Sequence, residues 1–348
     1  MTSHPPLPDE PTRAPLPALI LLGIGAVAAT TVLLSARGLQ AASIAPTLEE
    51  TQFVIDTVVV TGRVVSGHPH LPERFHGLED GILSSPMLLH PEFVQEVERW
   101  TRVWGSRQSA YVPSYLARMA GFESMVDSVV ATRDLPWSLR FLPVIESGYS
   151  PTAVSSAEAV GMWQFMAPTA QGLGVEVGAW VDDRRDPFVA TDAAVRYLEE
   201  LHQQFGSWFL ALAAYNAGPD RVQTLIDRYL PGVEPSDAVY WALRRVLPKE
   251  TAEFVPNLIG AIIVASAPEE HGYETPEPVL FVYDSVPVVG SIDFATIASA
   301  AGVARSDIEW LNPELVRGET PRGSEVVIRL PAGSGSVFRN YFAAQADR

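Results

Sequence analysis

Glu146 closes an apolar run, LPVIE, and is followed at once by Ser147, Gly148 and a turn ending in Pro151. A carboxylate in the last turn of a core-facing helix opposes the helix dipole and faces desolvation. Two roles fit such a residue: a loop cap, or proton chemistry. Packed among Phe141, Leu142 and Ile145, its pKa would rise, because burial disfavours the ionised form. A glutamic acid still protonated near neutral pH can donate to a leaving oxygen. Other carboxylates stand nearby. Glu158 lies in a polar loop and reads as solvated, and DDRRDP at 182–187, with Asp182, Asp183 and Asp186, reads as a charge-laced turn.

The elements that must position Glu146 are helical. In PEFVQEVERWTRVW, Phe93, Val94, Val97, Trp100 and Trp104 form one stripe, with Pro91 as the opener. A second amphipathic stretch runs from about Pro113 to Ala131. Pro136 starts the helix WSLRFLPVIE, strained at Pro143. TDAAVRYLEELHQQFG is a helix with a polar start and a glycine stop. SWFLALAAYNAG, opening on Ser207, is apolar nearly all round, which marks a buried helix. Pro219 starts another, and KETAEFVPNLIGAIIVASA closes the helical region. The expected fold is mainly α. A helical domain spans 86–267, with its core at 135–265. A Pro/Glu-rich linker follows at 268–277, then a small β-α-α-β module at 278–332 and a C-terminal tail at 333–348.

Composition narrows the function classes. The 348 residues carry a formal net charge of −17, which argues against nucleic acid as a partner. There is no cysteine, which removes disulfides, thiolate metal sites and a cysteine nucleophile. Seven histidines show no ligand spacing, and His68 and His70 sit in a Pro/Gly-rich loop. No cofactor and no metal are expected. After a tail at 1–13, residues 14–36 are uncharged and apolar, long enough to cross a hydrocarbon core of about 30 Å. They read as a retained membrane anchor or, with Ala36 and Gly38 as a small-residue site, as a cleaved signal segment. Residues 37–85 read mainly as a linker, with one strand-like run, DTVVVTGRVV.

Around Glu146 the motifs are ordered. Glu146-Ser147 is followed by Ser155, then Gly161-Met162-Trp163-Gln164, DDRRDP, Ala214-Tyr215-Asn216-Ala217-Gly218, and KETAEFVP at 249–256. Together they resemble the soluble lytic transglycosylase domain, a lysozyme-like fold, and look closest to the membrane-bound D-type lytic transglycosylases. The resemblance covers roughly residues 90–265. It implies cleavage of peptidoglycan between N-acetylmuramic acid and N-acetylglucosamine, with a single carboxylate serving twice. Glu146 would protonate the glycosidic oxygen and then take the proton of the muramoyl C6 hydroxyl, closing a 1,6-anhydro ring. Ordinary glycosidases instead flank the bond with two carboxylates.

The resemblance also assigns substrate contacts. Ser155 and Gln164 would hydrogen-bond sugar substituents. Met162 and Phe165 would form apolar walls or pack in the core. Tyr215 and Asn216 sit where the buried helix breaks, and with Gly218 they suit a cleft, although Asn216 alone fits a helix C-cap. One position departs: the family usually carries Tyr where this chain has Phe254, so a hydroxyl that would reach the catalytic acid is missing.

The C-terminal segment IASAAGVARSDIEWLNPEL resembles a LysM-like peptidoglycan-binding module, although DSVPVVGSID differs from the usual sugar-binding loop. Glycan strands would be the partner and the cell envelope the site of action. The catalytic domain would lie in the periplasm, anchored to the inner membrane through 14–36, or be secreted if that segment is cleaved. Two rivals share the fold: a lysozyme-type hydrolase releasing reducing ends, and a non-catalytic peptidoglycan-binding or scaffold protein.

Overall fold

The structure is a computed structural model that describes residues 56–59, 80–106, 110–133, 135–277 and 281–346. The expected membrane segment 14–36, together with His68 and His70, lies outside the described residues. Among those, no helix is long and apolar enough to cross a membrane.

Asp80 marks where the helical domain begins. Its buried carboxylate accepts from the amides of Ile82, Leu83 and Ser138, each at 3.0 Å, and from the Ser138 hydroxyl at 2.9 Å. A carboxylate fully withdrawn from water needs that many donors. The linker boundary read at residue 85 is therefore too late, because Asp80–Ser85 is part of the packed domain.

The helices are α1 (Pro91–Gly105), α2 (Val112–Ala131), α3 (Leu142–Ser147), α4 (Ala167–Gly172), α5 (Pro187–Phe205), α6 (Trp208–Ala217), α7 (Pro219–Tyr229), α8 (Asp237–Leu243) and α9 (Lys249–Ser266). α6 is the central rod. Its residues from Trp208 to Ala214 are all buried, and it packs against α5, α7, α8 and α9. Each fully buried Leu or Phe there contributes about 1.5–3 kcal/mol. Ser207 caps α6, accepting from the Leu210 amide at 3.3 Å. α1 lies closely along α9: a methyl group on Gly260 would come within 2.8 Å of Trp100 Cβ and the Thr101 amide, so only glycine permits this approach.

The helix expected over WSLRFLPVIE is broken in two. Trp137–Phe141 forms a 3₁₀ turn, and α3 starts afresh with Pro143 in its first turn. Proline has no N–H to bond to Leu139 and its ring crowds the preceding turn. The restart leaves α3 short and ends it at Glu146-Ser147.

The C-terminal module has a three-stranded antiparallel sheet in the order β1 (Asp56–Val59), β2 (Val282–Val289), β3 (Glu325–Pro331). β1 comes from the segment read mainly as a linker and runs from Asp56 opposite Ser285 to Val59 opposite Val282. Between β2 and β3 stand α10 (Phe294–Ala301) and α11 (Arg305–Leu311), as the β-α-α-β reading required. The segment read as a C-terminal tail forms a further helix, α12 (Gly335–Ala346), which packs on α10 and β2 and buries Phe338.

The module is docked on the helical domain. The Asp182 amide donates to Glu314 O at 3.0 Å, and the Val316 amide donates to Trp180 O at 3.2 Å. Phe281 packs its ring 5.3 Å from Phe122, 5.4 Å from Phe188 and 5.0 Å from Trp310. Arg329 on β3 pairs with Asp186 and, at 3.2 Å, with Glu314. Tyr273, in the segment after α9, is tied down as well, its hydroxyl donating to Trp104 O at 2.7 Å.

Candidate active site

Glu146 occupies the last turn of α3, and Gly148 ends that helix in the left-handed region at φ 60°. Tyr149 follows at φ 63°, an uncommon conformation for a side chain of that size. It is held there by its fully buried hydroxyl, which donates to Arg140 O. Ser147 points the other way. Its hydroxyl donates to Met162 O at 2.8 Å and accepts from the Ser150 amide at 3.1 Å. The helix end that carries Glu146 is thus bonded to the segment carrying Met162 and Gln164.

That segment is a tight, irregular fold-back. The Val160 and Phe165 amides and carbonyls bond each other at 3.0 Å, and the Gly161 amide bonds Ala153 O at 3.0 Å. Gly161 has φ 87°, and a Cβ there would lie 1.8 Å from Arg184 O, so no other residue fits. DDRRDP is the buttress, as its charge-laced reading implied. Arg184 is gripped by both oxygens of Asp182, at 2.9 and 2.8 Å, and donates to Phe165 O at 3.2 Å and Glu158 O at 3.3 Å. Asp186 caps α5, accepting from the Phe188 and Val189 amides at 2.8 and 3.0 Å.

The Glu146 side chain is only partly buried, but the protein around its carboxyl desolvates it. Burial pushes its pKa up to about 8, and the negative charge of Glu250 adds to the rise. This is the environment expected from its apolar neighbours, with a second carboxylate that pattern reading missed. Glu250 sits exposed in the first turn of α9, where an acid is favoured by the helix dipole. In sequence it therefore reads as an ordinary helix start, and only the packing of α3 against α9 brings it near Glu146.

The other candidate residues divide into two groups. Tyr215 donates from its hydroxyl to Trp163 O at 2.7 Å, and the Glu146 charge, after burial, raises its pKa. Asn216 accepts from the Thr251 hydroxyl at 2.7 Å, one residue beyond Glu250. Gln164 has φ 51° and donates from its amide nitrogen to Gly161 O at 2.8 Å, leaving its amide oxygen without a donor among the described residues. Tyr215 thus ties α6 to the Trp163 segment and Asn216 ties α6 to α9 beside Glu250, while the Gln164 bond stays within its own turn.

Ser155 caps its own turn, accepting from the Ala157 and Ala159 amides at 3.3 and 3.0 Å, which leaves its hydroxyl hydrogen to donate. Met162 is 1% exposed and packs in the core, the second of the two roles left open for it by the sequence. Phe165, 3% exposed, is core as well. Of the nearby acids, Glu158 is exposed and Asp182 is occupied by Arg184. Asp183 has its pKa raised to about 6, by burial first and then by the charges of Asp186 and Glu176. Phe254 is buried on α9, one turn beyond Glu250 and so on the same face. No group of His, Asp and Glu suited to a metal ion occurs among the described residues.

Residues 130–229 match the Transglycosylase SLT domain, and residues 282–346 match the LysM-like domain of lytic transglycosylase MltD. The membrane-bound lytic murein transglycosylase D of Escherichia coli K12 is 30% identical over 220 residues, covering 62% of this chain and 47% of that protein. A putative tributyltin chloride resistance protein of an Alteromonas species is 36% identical over 107 residues, covering 30% of this chain and 52% of that protein. The chain thus spans about half the length of the curated relatives it matches. Among solved structures, the 70 kDa soluble lytic transglycosylase of Escherichia coli is 19% identical with a TM-score of 0.37, covering 58% of this chain and 32% of that one. An inactive mutant of lytic transglycosylase Slt from Pseudomonas aeruginosa is 24% identical with a TM-score of 0.34, covering 44% and 25%. The chain is thus similar to a Transglycosylase SLT domain followed by an MltD-type LysM-like domain, the first in line with its spaced motifs and the second with its C-terminal segment.

Proposed function

We propose that this protein is an envelope-anchored lytic transglycosylase. It cleaves the β-1,4 bond between N-acetylmuramic acid and N-acetylglucosamine in peptidoglycan without water and leaves 1,6-anhydromuramoyl ends. The observation that carries the reading is the Glu146 carboxyl: partly open, desolvated, and with a pKa of about 8. At neutral pH it holds a proton to give to the glycosidic oxygen. The resulting carboxylate sits in surroundings that favour its reprotonation, so it takes the proton of the muramoyl C6 hydroxyl as that oxygen closes on C1. Ser155, Gln164, Tyr215 and Asn216 hold sugar substituents. Residues 14–36 anchor the chain in the membrane, in keeping with the membrane-bound name of the Escherichia coli relative. The LysM-like module adds contact with the glycan.

A desolvated acid costs stability, which a purely binding scaffold has no reason to carry. The hydrolase reading draws on Glu250, since a second carboxylate near the first is what a hydrolytic site requires. Digestion of purified sacculi, followed by mass spectrometry, separates the readings. Anhydro ends from the wild type and their loss in Glu146→Gln support the proposal. Reducing ends alone would make the enzyme a hydrolase, and no cleavage by the wild type would leave a binder.

A further inference from the structure

A cavity of about 380 Å³ opens between the SLT domain and the LysM-like module, within the range of small-ligand pockets. Three arginines line it: Arg185 from DDRRDP, Arg305 from α11, and Arg317 from the loop before β3. In a chain of net charge −17 such a concentration of positive charge is unusual. Its only acidic lining residue among those described is Glu309, which already pairs with Arg305 at 2.8 Å. Arg317 stacks on Trp180 at 4.4 Å and donates to Ala179 O at 3.0 Å, which fixes its plane without neutralising it.

Arg185 is the least compensated. Its nearest carboxylate, Asp182, is 3.9 Å away and already holds Arg184 on both oxygens. Among the described residues its buried Nε has no hydrogen-bond partner, and its Nη1 reaches Thr152 O at 3.5 Å. Burial lowers its proton affinity, and the Asp182 charge only partly offsets this. A half-buried guanidinium without a close counter-charge is costly unless an anion completes it. Guanidinium groups match carboxylates in shape and bind them through paired N–H bonds. Val316, 41% exposed, gives the cavity an apolar edge, which suits an organic acid better than a bare ion.

We propose that this cavity binds an acidic peptide through its carboxylates. Resting on the reading of the protein as a peptidoglycan enzyme, that peptide is the stem attached to the glycan strand. Thr152, on the cavity rim, is six residues from Glu146, a chain distance of at most roughly 20 Å. A stem on a strand held at Glu146 is within reach of the cavity. The site would then favour strands whose stems keep free carboxylates.

The test titrates the full chain, in mild detergent, with a sugar-free stem-type peptide bearing free carboxylates, with the same peptide fully amidated, and with inorganic phosphate. The free acid should bind about tenfold or more tightly than the amide. Arg305→Gln, at an exposed position, and Arg185→Gln should each weaken binding of the acid by a similar factor, and Arg305→Gln should leave the melting temperature unchanged. Equal affinity for acid and amide, full binding by both variants, or displacement of the peptide by phosphate at equal concentration would overturn the proposal. The peptide has no glycosidic bond, so its binding stands or falls separately from the appearance of anhydro ends.

Discussion

The charge of Glu250, in the first turn of α9, raises the proton affinity of Glu146 at the end of α3. The pair defines two separable roles. If Glu250 acts only through its field, Glu250→Gln lowers the Glu146 pKa from about 8, and the alkaline limb of kcat/KM moves to lower pH. Activity at neutral pH should then fall by less than about tenfold. If Glu250 is itself a proton-transfer partner, the loss should be about 10²–10⁴-fold. The pH profile of the variant on a soluble glycan separates the two outcomes, and the larger loss would favour the hydrolase.

Glu146→Gln should be more stable than the wild type, and increasingly so as pH rises. The folded pKa of about 8 lies above the ordinary value of 4.5. Between those values the folded protein holds a proton that the unfolded chain has released, so wild-type stability declines with rising pH across that window. Glutamine carries no such cost. At neutral pH the gain should be about 1–3 kcal/mol, given the partial exposure of the side chain. At pH 4.5 and below it should vanish. Urea unfolding of both proteins at pH 4.5 and 8 measures this directly, and an unchanged difference between the two pH values would mean that Glu146 is not desolvated.

Arg329 holds the module's charge balance. It faces Asp186, the cap of α5, and Glu314, whose pKa is raised to about 7 by burial, with Arg329 opposing the rise and Asp186 adding to it. Glu314 Oε2 has no partner of its own among the described residues. Arg329→Met should therefore destabilise the protein by about 3–5 kcal/mol, because two buried carboxylates lose their cation. Adding Glu314→Gln should restore part of that loss. Chemical denaturation of the single and double variants gives the coupling, and a single-variant change under about 0.5 kcal/mol would show that the docked arrangement does not depend on the pair.

Sequence alone made the proton-bearing residue legible, because an acid at the end of an apolar run is a local conflict that few roles resolve. The buried helix over Trp208–Ala217 was legible for the same kind of reason, since its apolar surface has no polar face to turn to water. Long-range partners were not. Glu250 carries no local oddity, being an acid where helices favour acids. The joint between the domains includes Val181 opposite Leu315, an isolated bridge with no strand periodicity to announce it. Asp80 stands in a Pro- and His-rich stretch and shows its role only when Ser138 arrives from 58 residues away. At Met162 the sequence left wall and core open, and only the packing puts the side chain in the core.

Phe254 offers the sharpest check on the geometry around Glu146. It lies one turn beyond Glu250 on α9, and Glu250 is near enough to act on Glu146, so the two helical neighbours face α3 together. The ring is 6% exposed, which leaves a new hydroxyl no water to turn to. In Phe254→Tyr that hydroxyl should donate to the Glu146 carboxylate. A hydrogen bond to a charged group contributes roughly 1–3 kcal/mol net, here to the ionised form. The Glu146 pKa should fall from about 8, and the alkaline limb of the pH–rate profile should move to lower pH. The pH-dependent part of the stability cost should shrink with it, so that the wild type and Phe254→Tyr diverge most above pH 8. Superimposable profiles and equal stabilities across that range would mean that residue 254 does not reach the carboxyl.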